Sequence, residues 1–120
     1  MGNLTKNLSR YEFECPCGDC LPRAADWELV EVLQKTEDDL GAGKIFITSG
    51  NRCVDHNKAV GGALASKHLY GIAADFYLDV PIPESISEYL NEQYPDKYGI
   101  GTYNTWVHID MRHVKARWRG

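Results

Sequence analysis

Four residues in the second half of the chain carry side chains that can do metal chemistry: His68, Asp75, His108 and Asp110. The first two stand seven positions apart in SKHLYGIAADF (66–76), separated by small residues, and the last two form His-x-Asp in WVHIDMR (106–112). Two imidazoles and one carboxylate with a fourth position open make the ligand set of a catalytic zinc. Spacing by itself does not decide this, because a His-x6-Asp pair also arises from a surface histidine and an unrelated ion-paired aspartate.

A shared metal needs these residues on neighbouring elements. AADFYLDV alternates, so Phe76, Leu78 and Val80 are expected on one face and Asp75, Tyr77 and Asp79 on the other. YGIGTYNTWVHIDMR reads as two strands joined by a turn near Asn104. In the second strand, Val107, Ile109 and Met111 are expected opposite Trp106, His108, Asp110 and Arg112. If the two polar faces adjoin and His68 lies over them from a loop, then His68, Asp75 and His108 converge. Gly71, Ala73 and Ala74 let that loop return close to the strand.

The remaining elements follow from periodicity and caps. DWELVEVLQKTEDDL (26–40) reads as a helix capped by Asp26, with Glu28 in its first turn, Leu29, Leu33 and Leu40 near one face, and Gly41 ending it. GKIFITSG follows as a short β-branched strand. NRCVDHNKAVGGALASKHLYG has no sustained period and reads as a long functional loop. PESISEYLNEQYP reads as a second helix, with Pro83 in its first turn, Ile86, Tyr89 and Leu90 as its apolar stripe, and Pro95 as its stop. The pattern predicts one small α+β domain over 1–120, its helices packed on one face of a mostly antiparallel sheet.

Composition agrees with a globular protein: 43% hydrophobic and 25% charged residues over 120 positions, room for one ordinary domain. A net charge of −4 gives no basic footprint for nucleic acid. No run is long and apolar enough for membrane insertion, and the first segment lacks the apolar core of a signal peptide. The chain is therefore expected to be made in the cytoplasm, or exported by a route its own sequence does not encode; a monomer is expected. The four cysteines are Cys15, Cys17 and Cys20 in CPCGDC, and Cys53. They can form two disulfides in any of three connectivities, hold a structural zinc, stay free, or make one bridge. The tight Cys-x-Cys spacing argues against the zinc.

The chain also resembles the M15 group of zinc D-Ala-D-Ala peptidases, above all its small phage-associated members. The resemblance is carried by SGNRC (49–53), HNKAVGGALASKHLYGIAAD (56–75), GIGTY (99–103) and WVHIDMRHVKARW (106–118), with LSRYEFECPCG (8–18) near the start. It implies the hedgehog/D-Ala-D-Ala peptidase type of fold, a catalytic Zn²⁺ on His68, Asp75 and His108, and Arg52 as the cation facing the scissile carbonyl and the developing oxyanion. A fixed guanidinium suits that role; the alternative for Arg52 is an ion pair at the strand end. Ser66 matches a Ser-x-His element and is expected to support the loop or touch substrate. Tyr103 and Trp106 flank the cleft, either against substrate or simply packed. His56 and His113 are weaker candidates.

One departure stands out. Many of these peptidases carry a glutamate three residues before the last zinc histidine as general base, and here that position is Thr105. Asp110 is the nearest substitute, as the base or as the partner that orients His108. The expected activity is hydrolysis of a peptide bond in the peptidoglycan stem peptide or cross-link, by a D,D-carboxypeptidase or an endopeptidase of the phage-lysis kind. Such an enzyme would reach the wall only after release from the cytoplasm. Thr105 motivates the rival, a non-catalytic zinc-binding or virion structural module.

Overall fold

The computed structural model describes residues 4–5, 8–15, 26–41, 43–50, 60, 67–70 and 72–120. Arg52, Ser66, Cys17, Cys20, Cys53, His56 and Gly71, and most of the long loop, lie outside the described residues.

Helix α1 spans Trp27–Leu40. Asp26 is its N-cap, and its carboxylate accepts from the Leu29 backbone N–H at 3.2 Å. At the other end Gly41 takes the left-handed conformation, φ 58°, and its N–H closes on the Glu37 carbonyl. Glu37 is buried for a reason: its Oε2 accepts the Ile45 backbone N–H at 2.9 Å, tying the end of α1 to the start of the sheet.

Strands β1 (Ile45–Ser49), β2 (Ala73–Leu78), β3 (Gly99–Thr102), β4 (Val107–Asp110) and β5 (Ala116–Arg119) form one sheet in the order β1-β2-β4-β3-β5. Helix α2 (Pro83–Gln93) connects β2 to β3, with Pro83 in its first turn as expected. The β1–β2, β2–β4 and β3–β4 pairs are antiparallel, whereas β5 runs parallel to β3. The sheet is thus mixed, and β5 is a strand that the sequence pattern does not announce. Val80, expected to face inward with Phe76 and Leu78, lies beyond the end of β2 and is exposed.

Both helices cover the same face. α1 packs on β1 and β2, α2 packs on β3 and β4, and the helices touch each other. Between helices and sheet, Leu29, Val30, Leu33, Ile86 and Leu90 meet Ala74, Phe76, Leu78, Ile100, Val107 and Ile109 in one core. Met111 joins that core just past β4, where the alternation places it. Period-2 alternation then sends Asp75, His108 and Asp110 to the opposite face, the one the helices leave uncovered.

Candidate metal centre

Cross-strand register brings the two polar faces together. Asp75 on β2 pairs with His108 on β4, and Ala73 pairs with Asp110. On the other side of β4, His108 pairs with Gly101 and Asp110 with Gly99. β5 continues the same two rows with Trp118 beside Gly101 and Ala116 beside Gly99. His68 arrives from a one-turn 3₁₀ segment, Lys67–Tyr70, which precedes β2.

These elements place one ligand atom each from His68, Asp75 and His108 within 4.8 Å of one another. Asp75 Oδ1 lies 2.8 Å from His108 Nδ1 and 3.3 Å from His68 Nε2. The far nitrogen of each imidazole is also committed. His68 Nδ1–H donates to the Gly50 carbonyl at 2.6 Å, since a carbonyl can only accept. His108 Nε2–H donates to Asp110 Oδ2 at 2.8 Å. Each ring is therefore turned so that the nitrogen facing Asp75 is the one left for a cation, the arrangement that outer-shell acceptors impose on ligating histidines. Both histidines are buried, while 13% of the Asp75 side chain remains open to solvent. Two imidazoles and a carboxylate, oriented from behind and reachable from one side, fit a divalent metal such as zinc.

Electrostatics follow the geometry. Burial works to raise the Asp75 carboxyl, but hydrogen bonds from His108 and His68 outweigh it and hold the group well below the usual carboxylate range. Burial works to lower His108, but its bonds to Asp110 and Asp75 prevail and raise it above its ordinary value. Asp110 is held low in the same way, against its burial, by His108 and Arg112.

Asp110 stands behind His108, on the ring nitrogen opposite the one that faces Asp75. It has no exposed surface, and both its oxygens are engaged: Arg112 donates Nε–H to Oδ1 at 2.7 Å and Nη2–H to Oδ2 at 2.8 Å. Of the two roles open to Asp110 in the sequence, this geometry matches the orienting one. Thr105 is exposed in the β3–β4 turn. His113 is exposed after β4 and takes no part in the metal-ligand group.

The two aromatic candidates lie beside each other, and one of them reaches the groove at Asp75. Tyr103 and Trp106 stack across the β3–β4 turn, ring centroids 4.5 Å apart and nearly parallel. Trp106 shares a groove with Thr48, Asp75, Tyr77 and Thr105, so the groove opens directly at Asp75. A β-bulge in β1 between Ile47 and Ser49 shifts the pairing beside Asp75, and the Thr48 hydroxyl donates to the Asp75 backbone carbonyl at 3.2 Å.

Several residues of the site are not assigned from the sequence. Trp118 lies against His108, centroids 5.2 Å apart, and donates Nε1–H to the Tyr103 hydroxyl at 2.9 Å. Gly101 makes that possible, because a Cβ there would lie 2.3 Å from Trp118 Nε1. Gly50 serves twice: its carbonyl orients His68, and its missing side chain admits the Phe13 backbone, which a Cβ would approach to 2.6 Å. The glycines of GIGTY and SGNRC are visible as residues, but their clearances emerge only from the packing of the folded chain.

A mixed five-stranded sheet carries two helices on one face and, on the other, a His–Asp–His group positioned to bind a metal ion, which defines a small α+β domain. The family model described as Peptidase M15 matches residues 6–110, and the chain belongs to that family of peptidases. No curated protein matches the chain.

Proposed function

We propose that this protein is a zinc-dependent peptidase that hydrolyses a peptide bond in the stem peptide or cross-link of bacterial peptidoglycan. The observation that carries the reading is the convergence of His68, Asp75 and His108, each imidazole backed on its far nitrogen, in a chain of the peptidase M15 family. When bound, zinc supplies Lewis acidity and lowers the pKa of a water molecule towards neutrality. The chain's own residues divide the remaining work. His68 and His108 each offer one ring nitrogen whose direction is set by Gly50 and Asp110, and Asp75 offers a carboxylate held well below the usual carboxylate range. Arg52 is the cation for the oxyanion. Trp106, with Tyr103 stacked against it, walls the approach to Asp75 and orients the substrate chain, and Ser66 supports the loop that carries His68. Asp110 acts as a positioning residue, because a carboxylate already engaged by Arg112 and His108 has no free direction from which to accept a substrate or water proton. The protein is read as a monomeric single domain that meets the wall after release from the cytoplasm.

Metal analysis and wall digestion on one preparation test this reading. The parent chain is expected to bind one zinc per molecule and to release peptides from purified walls, and the His68→Ala chain to do neither. Equal release by both chains would sink the mechanism. Product masses separate the two activities: free alanine marks a carboxypeptidase, larger peptides an endopeptidase.

Thr105 at the family's base position, together with the engaged Asp110, favours a second reading as a zinc-binding module without turnover, such as a virion component. Stoichiometric zinc with no release from any wall preparation would select it.

A further inference from the structure

We propose that Arg112 is a positioning residue for the metal centre, acting on His108 through Asp110. The proposal rests on the metal-binding reading of His68, Asp75 and His108 and extends it to a residue outside the stretch matched by the family model, which ends at Asp110.

A carboxylate without exposed surface, such as Asp110, is strongly unfavourable unless its charge and lone pairs are met. Arg112 meets them with a fork. Its Nε and Nη2 donate to separate oxygens at 2.7 and 2.8 Å, and its backbone N–H adds a contact to Oδ1 at 3.2 Å. Two parallel donors from one planar group fix the plane of the carboxylate as well as its position, which a single point charge cannot do. With that plane fixed, Oδ2 is presented to His108 Nε2 at 2.8 Å, and the imidazole rotation that aims Nδ1 at Asp75 is set.

Arg112 is itself located. Its guanidinium lies 5.4 Å from the Trp118 ring, and the same indole touches His108. Gly99 clears the space these groups occupy, since a Cβ there would fall 2.5 Å from Asp110 Oδ2 and 2.7 Å from Arg112 Nε. His108 is thus held between a forked carboxylate and an indole that share one arginine. About a third of the Arg112 side chain is exposed, yet its partner is wholly buried, so this pair is not an ordinary surface ion pair.

Arg112→Lys keeps a cation beside Asp110 but removes the fork. In the full-length chain, zinc affinity is read by competition with a chromogenic chelator, and ligand geometry by the visible absorption of the Co²⁺-loaded protein. Metal-free thermal melts report folding. The expected result is a folded Arg112→Lys protein with zinc affinity weaker by about 10- to 100-fold and an altered Co²⁺ spectrum. Arg112→Ala should lose more, and the lysine variant should recover part of that loss. A folded Arg112→Lys chain with parental affinity and spectrum would overturn the positioning role while leaving the metal reading intact. A parent chain that takes up no stoichiometric zinc would overturn both.

Discussion

Replacing Gly99 by alanine tests the crowding on the site's face of the sheet. Gly99 sits directly opposite Asp110 in the β3–β4 register, so a new methyl group points at that carboxylate. An ideal Cβ would lie 2.5 and 2.7 Å from the two Asp110 oxygens and 2.7 Å from Arg112 Nε. Ordinary contact at these atoms begins beyond about 3.3 Å, so the carboxylate must retreat by most of an ångström. Asp110 is short, fully buried and bonded on both oxygens, so it can retreat only by stretching its bonds to His108 and Arg112. Overpacking of this kind costs about 1–3 kcal/mol, and breaking a buried ion pair outright about 3–5 kcal/mol. Partial relaxation puts the expected loss at about 2–4 kcal/mol, read as a fall in the urea midpoint with an unchanged m-value, together with weakened zinc binding. Gly41→Ala is the control. Gly41 has φ 58° with open space around it, so alanine there should cost about 1–2 kcal/mol of backbone strain and leave zinc affinity alone. Gly99→Ala within about 0.5 kcal/mol of the parent, the ordinary spread for an innocuous surface change, and with parental zinc affinity would refute the reasoning.

Three further outcomes follow, two from the titrating groups of the site and one from the connection between α2 and β3. In the metal-free protein, His108 is raised above its ordinary value near 6.5, so its stabilisation is complete below that pH and is lost as pH rises through the raised value. Asp75 and Asp110 are depressed from 3.8, so their contribution is present above that pH and is lost as acid protonates them. Metal-free stability should therefore be greatest between about pH 4 and 6.5. Zinc binding, which requires His108 to release its proton, should strengthen with pH until His108 is deprotonated, as melts and chelator titrations across pH would record. Arg117→Ala should act on folding alone: that guanidinium donates to the carbonyls of Tyr94 at 2.7 Å and Tyr98 at 2.6 Å, clasping the connection from α2 to β3. Its loss should cost about 1.5–3 kcal/mol and leave metal affinity within about twofold, the size of change a remote site transmits.

The helix from Asp26 to Gly41 was legible because its signals are local: a capping carboxylate, an apolar stripe and a left-handed stop within one stretch. The shared face of Asp75, His108 and Asp110 was legible for a similar reason, since strand alternation places side chains without knowledge of the partner strand. β5 was not legible. Ala116–Arg119 is four residues long, each side only part-buried, and its pairing with β3 is a contact between distant segments that no local pattern encodes. Val80 misled because alternation shows which face a residue would take, not where the strand stops.

The part of the site that escaped the sequence shares one physical cause. A two-residue spacing put Asp110 on the face of His108 but could not tell which imidazole nitrogen it would meet, and that choice separates a base from an orienting group. The choice is made by Arg112, which anchors the carboxylate from behind, and in sequence Arg112 is only a charged residue at a strand's end. Room for that anchor comes from Gly99 and Gly101, which read as turn punctuation until the register sets them beside Asp110 and His108. Ligand positions along a strand are thus encoded locally, whereas ligand orientation is encoded across β4, β3 and β5. Substitutions at Gly99 and Gly101 of β3 and at Trp118 of β5, which face the site, should therefore alter metal affinity although none of them belongs to the His68–Asp75–His108 group.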